Sequence, residues 1–317
     1  MMIKYIIFTL FGFYLLIKGA DIFVDGIAST SANLKIPKLI IALSIVAFGT
    51  STPELFISFR SLLNNNNDIV MANVVGSTIV NTMLVIGVSA LIKPIRIKSE
   101  TIKKQLPLHL MIILFFSILF LDKIFDNTMN TISRSDAIIL FIIFLSFIIY
   151  IYKYAKSQNK EMIKETPKWK LPKSIILGII GLICISIGSD IVVNNCVNIA
   201  NIMHVSQKII TMMILVLGTS MPELIMAINS VKKGEYDIII GNIIGTNIFN
   251  IGFVLTLPVI IFGGFNTTNF GFADMFIMLI TGLTIYIFAK DDRKLDKLEG
   301  FIMITIFIIY YTYMLLI

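Results

Sequence analysis

The sequence predicts an all-α membrane protein of ten transmembrane helices, arranged as two inverted five-helix repeats. Three observations carry that expectation. Of the 317 residues, 57% are hydrophobic and only 14% charged, whereas a soluble chain carries about a quarter charged residues; the mean hydropathy is +0.91. The apolar residues run in continuous stretches of about 20, the length that crosses a hydrocarbon core as a helix. One short phrase, Gly49-Thr50-Ser51-Thr52-Pro53-Glu54, returns as Gly218-Thr219-Ser220-Met221-Pro222-Glu223.

Taken in order, the apolar stretches are 3–26, 38–63, 69–92, 106–122, 136–152, 173–196, 207–231, 238–262, 271–289 and 298–317. Their continuity excludes a membrane β-barrel, whose strands alternate apolar and polar residues. The first stretch is too long for a signal peptide and no small-residue cleavage site follows it, so it reads as a retained helix.

The net charge of +7 is distributed as in a membrane protein and not as in a nucleic-acid binder. Lys and Arg collect on alternate loops: Lys35 and Lys38; Lys93, Arg96, Lys98, Lys103 and Lys104; the series from Lys153 to Lys173; Lys232 and Lys233; and Lys290, Arg293, Lys294 and Lys297. The other loops hold Arg60, Lys123, Arg134 and Lys208, with Lys4 at the start. The positive-inside rule then puts the basic segment inside and both termini outside the cell membrane. The chain divides into a first half over 1–152, a short solvated basic linker over 153–172 and a second half over 173–317.

The repeat reaches well past the hexapeptide. The shift that carries Gly49 onto Gly218 also carries Gly19-Ala20-Asp21 onto Gly188-Ser189-Asp190. It carries the segment from Asn73 to Asn81 onto that from Asn242 to Asn250, without a gap. Five spans per half is an odd number, so the halves enter the membrane from opposite sides. Such inverted repeats place a substrate site at the midplane, where interrupted helices of both halves meet.

The repeated phrase sets a glutamate in each half at membrane depth, with no Lys or Arg near mid-span to pair with it. An ionisable side chain there is a functional-site hypothesis by default. Proline lacks an N–H and frees a helical carbonyl, that of Gly49 before Pro53 and that of Gly218 before Pro222. Broken helix in the membrane survives where it lines a cavity or is buried in protein. Thr50 and Glu54 are four residues apart and share a helical face, as do Thr219 and Glu223. The next span adds Ser77 and Asn81, and its counterpart Thr246 and Asn250.

A hydroxyl or amide in a membrane helix ordinarily bonds its own backbone or a neighbouring helix. Duplication around two glutamates raises these above that role. Every donor is an oxygen or carries one, which suits Ca²⁺ or Na⁺ and not zinc, copper or iron. Two glutamates are neutralised by one Ca²⁺ or by two Na⁺. Left bare, the pair would suffer desolvation and mutual repulsion, so protons are expected to enter when metal leaves.

The remaining candidates read as structural. Asp21 and Asp190 lie near span ends. Cys184 and Cys196 lie too far apart along one helix to pair, and His109 and His204 sit near span ends away from other metal ligands.

With these residues in view, the chain resembles the cation/Ca²⁺ exchanger superfamily, and most closely its prokaryotic sodium/calcium exchanger branch. The likeness rests on the doubled Gly-Thr-Ser-x-Pro-Glu and on the downstream Gly-Ser/Thr-x-x-x-Asn, and it covers nearly the whole chain. The Gly-Asn-x-x-Glu phrase of the proton-coupled relatives is absent. The resemblance implies antiport of Na⁺ against Ca²⁺ by alternating access. It implies Glu54 and Glu223 as shared ligands, with oxygens from Thr50, Ser51, Thr219 and Ser220. Ser77 and Thr246 would complete flanking Na⁺ positions, together with the backbone carbonyls of Ala47 and Val216, and Asn81 and Asn250 the central one. The first and sixth spans resemble the pair that slides past the core.

Asn250 stands where many prokaryotic relatives carry aspartate, which weakens the case for K⁺ co-transport; Ala72 replaces the glycine found at Gly241, and the central loop leaves no room for a regulatory domain. The chain is expected to act as a transporter and not as an enzyme, with Ca²⁺ and Na⁺ as substrates, the bilayer as partner, no resident cofactor, no nucleic acid and no obligatory protein partner. Proton/Ca²⁺ exchange on the same fold, and a channel or sensor, stay open as alternatives. An intramembrane enzyme would need a histidine beside Ser51, and none is near.

Overall fold

The computed structural model describes residues 2–122, 129–157, 166–203, 216–267 and 270–316, apart from the side chains of Ala200, Asn201, Leu315 and Leu316. His204, Lys123, Lys208, residues 158–165 of the central linker and the first part of the seventh apolar stretch lie outside them.

Of the described residues, 85% are helical. In order it forms α1 (Met2–Leu34), α2 (Lys38–Thr50), α3 (Thr52–Leu63), α4 (Asn67–Ile92), β1 (Ile95–Arg96), α5 (Thr101–Phe120), β2 (Thr131–Ile132), α6 (Arg134–Ser157), α7 (Leu171–Ile202), α8 (Val216–Thr219), α9 (Met221–Lys233), α10 (Tyr236–Phe262), β3 (Phe265–Asn266), α11 (Phe272–Lys290), β4 (Lys294–Leu295) and α12 (Lys297–Leu316). Among the described residues eight helices are long and apolar enough to cross a membrane. The pair α2–α3, bent by 42°, brings the number to nine if it counts as one span.

α4 and α10 form the centre and are buried along most of their length, while α1, α6, α7 and α12 turn one face outward. The outward faces carry Ile7, Phe11, Ile142, Ile149, Ile176, Ile183, Phe301 and Ile309, as a hydrocarbon solvent demands.

α1 and α7 run antiparallel and in close contact. A Cβ at Gly12 would fall 2.9 Å from the carbonyl oxygen of Gly188, and one at Gly26 would fall 2.6 Å from the nitrogen of Gly178. Small residues let membrane helices approach backbone to backbone, and glycine is required here for that reason. α1 continues past the expected end at residue 26, because Ser29, Thr30, Ser31 and Asn33 find partners there. Asn33 Nδ2 donates to the carbonyl of Trp169 at 2.7 Å, and the Trp169 N–H donates to Ser29 Oγ at 2.9 Å. The end of the basic linker, 166–170, is therefore docked on α1 and not simply solvated; Lys168 also pairs with Asp25 at 2.8 Å.

Two short antiparallel ladders depart from a purely helical reading. β1 pairs with β4, Ile95 opposite Leu295. β2 pairs with β3, Ile132 opposite Phe265. Each ties the end of a central helix, α4 or α10, to the start of a helix in the other half of the chain, α12 or α6. The β1–β4 end gathers charge: Lys38 pairs with Glu235 at 2.7 Å and Lys98 with Asp237 at 2.5 Å. The β2–β3 end is held by hydrogen bonds of amides and hydroxyls, with Asn67 donating to the carbonyl of Asn266 at 3.0 Å and Thr267 to the Asp68 carboxylate.

Candidate functional site

The repeated phrases break their helices at the same residue. Ser51 has φ −82° and ψ 0° between α2 and α3, and Ser220 has φ −86° and ψ 2° between α8 and α9. Pro53 and Pro222 then sit in the first turn of the new helix, where a missing N–H costs nothing. The carbonyl of Gly218 is taken up by Ser189 Oγ, which donates at 2.9 Å. The matching position in the first half is Ala20, which offers no hydroxyl. Wide i→i+5 turns flank the site at 42–46, 72–76, 80–85 and 250–254. Such turns re-aim side chains and recur at functional sites.

The twelve residues expected at the site from sequence are all buried: Ala47, Thr50, Ser51, Glu54, Ser77, Asn81, Val216, Thr219, Ser220, Glu223, Thr246 and Asn250. The two chain halves interlock around them. A Cβ at Gly245 would fall 2.7 Å from the Ala47 Cβ, and one at Gly76 would fall 2.8 Å from Val216 Cγ1. These are the same contact related by the repeat. Glu54 and Glu223 lie within Coulombic reach of each other. Glu54 Oε2 and both carboxyl oxygens of Glu223 are buried without a hydrogen-bond partner.

The hydroxyls divide unequally. Thr50 Oγ1 faces the Ala47 carbonyl at 3.3 Å, and Asn242 Oδ1 and Thr246 Oγ1 at 3.4 Å. Thr219 Oγ1 donates to the Val216 carbonyl at 3.1 Å. Ser77 donates to the Asn73 carbonyl and accepts from Asn250 Nδ2 at 3.0 Å. Ser51 Oγ, Ser220 Oγ, Asn81 Oδ1 and Asn250 Oδ1 join the carboxyl atoms as buried oxygens with no partner. Buried polar groups in native proteins are nearly always satisfied, so each exception calls for an explanation. Those on Ser51, Glu54, Asn81, Ser220, Glu223 and Asn250 share one chemistry: they are oxygens, and they belong to both halves and to the segments that carry the two glutamates; Asn242 Nδ2 and His109 Nδ1 are unpartnered nitrogens beside them. A hard cation is what such a set of oxygens can hold.

Three supporting residues were not assigned to the site from sequence. Asn73 Nδ2 donates to the Glu54 carbonyl at 2.9 Å and to Ser58 Oγ at 3.0 Å, tying α4 to α3. Asn242, its repeat counterpart, receives Thr50. The duplication contained both amides, and that was the available signal. The third is His109. It is not at a span end, since α5 begins at Thr101 and the ring is buried 3.0 Å from Asn247. Lys103 and Lys104 shortened the apolar stretch and hid the true start of the helix. Asp21 and Asp190 stand apart from the site, Asp21 pairing with Lys233 at 3.3 Å and Asp190 exposed. Cys184 and Cys196 are free. Among the described residues no group of three or more His, Cys, Asp or Glu gathers as a metal cluster.

Comparison with known proteins bears directly on this geometry. The family model described as sodium/calcium exchanger protein matches residues 4–153 and 173–316. The chain belongs to that family. Each matched block carries one copy of the Gly-Thr-Ser-x-Pro-Glu phrase. Proteins similar to this chain include CaxA of Alkalimonas amylolytica, 34% identical over 96% of each chain. The sodium/calcium exchanger MaX1 of Methanosarcina acetivorans is 26% identical over 94% of this chain and 95% of its own. A solved structure of the sodium-calcium exchanger NCX_Mj superposes with a TM-score of 0.85, at 28% identity over 98% of both chains.

Proposed function

We propose that this family member is a secondary active antiporter, exchanging Na⁺ for Ca²⁺ across the cell membrane by alternating access. The observation that carries this is the cluster of buried, unpartnered oxygens on Ser51, Glu54, Asn81, Ser220, Glu223 and Asn250. One Ca²⁺ would neutralise the two glutamates, and two Na⁺ would do the same, so either load converts a costly buried charge pair into a coordinated ion. That equivalence makes the occupants exclusive of each other, which is the basis of exchange. Thr50 and Thr219 each hold a backbone carbonyl, of Ala47 and of Val216, and these atoms with Ser77 and Thr246 would form the flanking Na⁺ positions. The chemistry is coordination throughout. The chain's own residues supply it, with no resident cofactor and no covalent step.

In this reading the chain has ten transmembrane helices in two inverted halves, 1–152 and 173–317, joined by the basic linker. Supporting it are the antiparallel packing of α1 on α7 and the exchange of ladders between halves. Both termini would then be outside and the β1–β4 end inside. α1 and α7, held to each other by glycine contacts, would move as one body past the core to expose the site to either side.

The test is uptake of ⁴⁵Ca²⁺ by purified protein in sealed vesicles. An outward Na⁺ gradient should drive uptake, and Glu54→Gln or Glu223→Gln should abolish it. Uptake driven as well by a pH gradient in the absence of Na⁺ would replace Na⁺ with H⁺ as the coupling ion. Flux of Ca²⁺ down its own gradient with no counter-ion would replace the antiporter with a channel.

A further inference from the structure

Behind the cation site a buried polar chain leads away from Asn81. Asn81 Nδ2 donates to Asn247 Oδ1 at 3.4 Å. Asn247 Nδ2 donates to Thr82 Oγ1 at 2.9 Å and stands 3.0 Å from His109 Nε2. Asn247, Thr82 and His109 are all buried. An amide nitrogen carries two hydrogens and accepts nothing. The second hydrogen of Asn247 therefore goes to His109, whose Nε2 must be the unprotonated acceptor. The ring proton lies on Nδ1, which has no partner.

This order matters because an amide has two faces of opposite sign. Turned one way, Asn81 presents a carbonyl oxygen to a cation. Turned the other way, it presents N–H groups that repel one. With His109 accepting, Asn247 keeps its oxygen toward Asn81, Asn81 keeps its nitrogen toward Asn247, and Asn81 Oδ1 is left buried and unpartnered on the site side. Asn250 reaches the same result by a shorter route, its nitrogen held by Ser77 and its oxygen free. The chain to His109 is not duplicated. The repeat places Thr78 opposite Asn247, Ile251 opposite Thr82 and Met278 opposite His109.

We propose that His109 is a positioning residue for ion binding: by accepting the Asn247 amide it fixes the orientation of Asn81, so that an oxygen and not an amino group faces the cation. The inference rests on the antiport reading of the site. Partners one shell behind a metal ligand typically change affinity about 10- to 100-fold when removed.

The experiment is Ca²⁺ binding to purified full-length protein by calorimetry, with vesicle uptake measured in parallel. His109→Leu removes the acceptor at similar volume, and His109→Gln returns a carbonyl oxygen close to the place of Nε2. His109→Leu should weaken Ca²⁺ binding about 10- to 100-fold and raise KM for uptake by the same factor at little-changed maximal rate. His109→Gln should bind close to wild type. Asn247→Ser, which can no longer bridge His109 and Asn81, should repeat the loss and serves in place of His109→Leu if that protein does not fold. Wild-type affinity in His109→Leu and Asn247→Ser would overturn the inference, and so would an equal loss in His109→Leu and His109→Gln, which would make the ring a packing element only. Those results leave the antiport reading intact. Wild-type protein that binds no Ca²⁺, or binds it undiminished after Glu54→Gln, overturns both.

Discussion

At the scale of single residues, the site is governed by the cost of leaving oxygen atoms dry. Removing one partner of a buried polar group exposes its full desolvation penalty, about 1–3 kcal/mol. A cluster of such atoms around two carboxylates is stable only with a cation or protons among them. The two threonines of the repeated phrase do not share this task equally. Thr50 is placed against Ala47, Asn242 and Thr246, whereas Thr219 has the Val216 carbonyl. Thr50→Val should therefore weaken Ca²⁺ binding more than Thr219→Val, by about 10-fold or more against a smaller loss, read by calorimetry on both variants. The duplicated glutamates, hydroxyls and amides were legible in the sequence, because repetition singles out residues that composition alone cannot. Which hydroxyl faces which amide was not legible. The two copies make different bonds from the same letters, as Thr50 against Asn242 and Thr246 and Thr219 against the Val216 carbonyl alone show.

At the scale of elements, the decisive features are breaks and close approaches. Ser51 and Ser220 leave helical geometry just before a proline, and this turns the next helix so that its glutamate enters from the first turn. The apolar stretches located the helices well. They failed at the ends, where polar residues remain helical because tertiary partners hold them. α1 runs on to Leu34 through its contacts with Trp169, and α5 starts early at Thr101. The glycines of α1 and α7 make a sharper prediction. A Cβ at Gly181 would fall 2.6 Å from the Phe23 nitrogen and 2.7 Å from its Cα, so backbone and not a flexible side chain would have to move. Gly181→Val should cost about 1–3 kcal/mol and lower the thermal midpoint of the detergent-solubilised protein, with Gly178→Ala as a milder control whose Cβ meets only Ile27 Cδ1 at 3.7 Å.

At the scale of the whole molecule, the two ends differ in chemistry. One carries the β1–β4 ladder with the Lys38–Glu235 and Lys98–Asp237 pairs, and the other carries the β2–β3 ladder with Asn67 and Asn266. The proposed orientation puts the first end inside. In a background with Cys184→Ala and Cys196→Ala, a cysteine at Asn65 should react with a membrane-impermeant thiol reagent added outside. One at Lys98 should react only after the membrane is opened. The reverse pattern would invert the orientation without touching the site.

The sequence by itself determined that the chain lives in a bilayer as helices, where those helices lie, and that two copies of one acidic phrase sit at membrane depth. Those properties are local: hydropathy, proline and repetition act through neighbours along the chain. Tertiary structure alone decided that Asn250 meets Ser77, that Gly245 receives Ala47, and that His109 stands behind Asn81. Each of these joins residues remote in sequence, and their geometry follows from how helices pack when every polar group inside the membrane must find a partner or an ion.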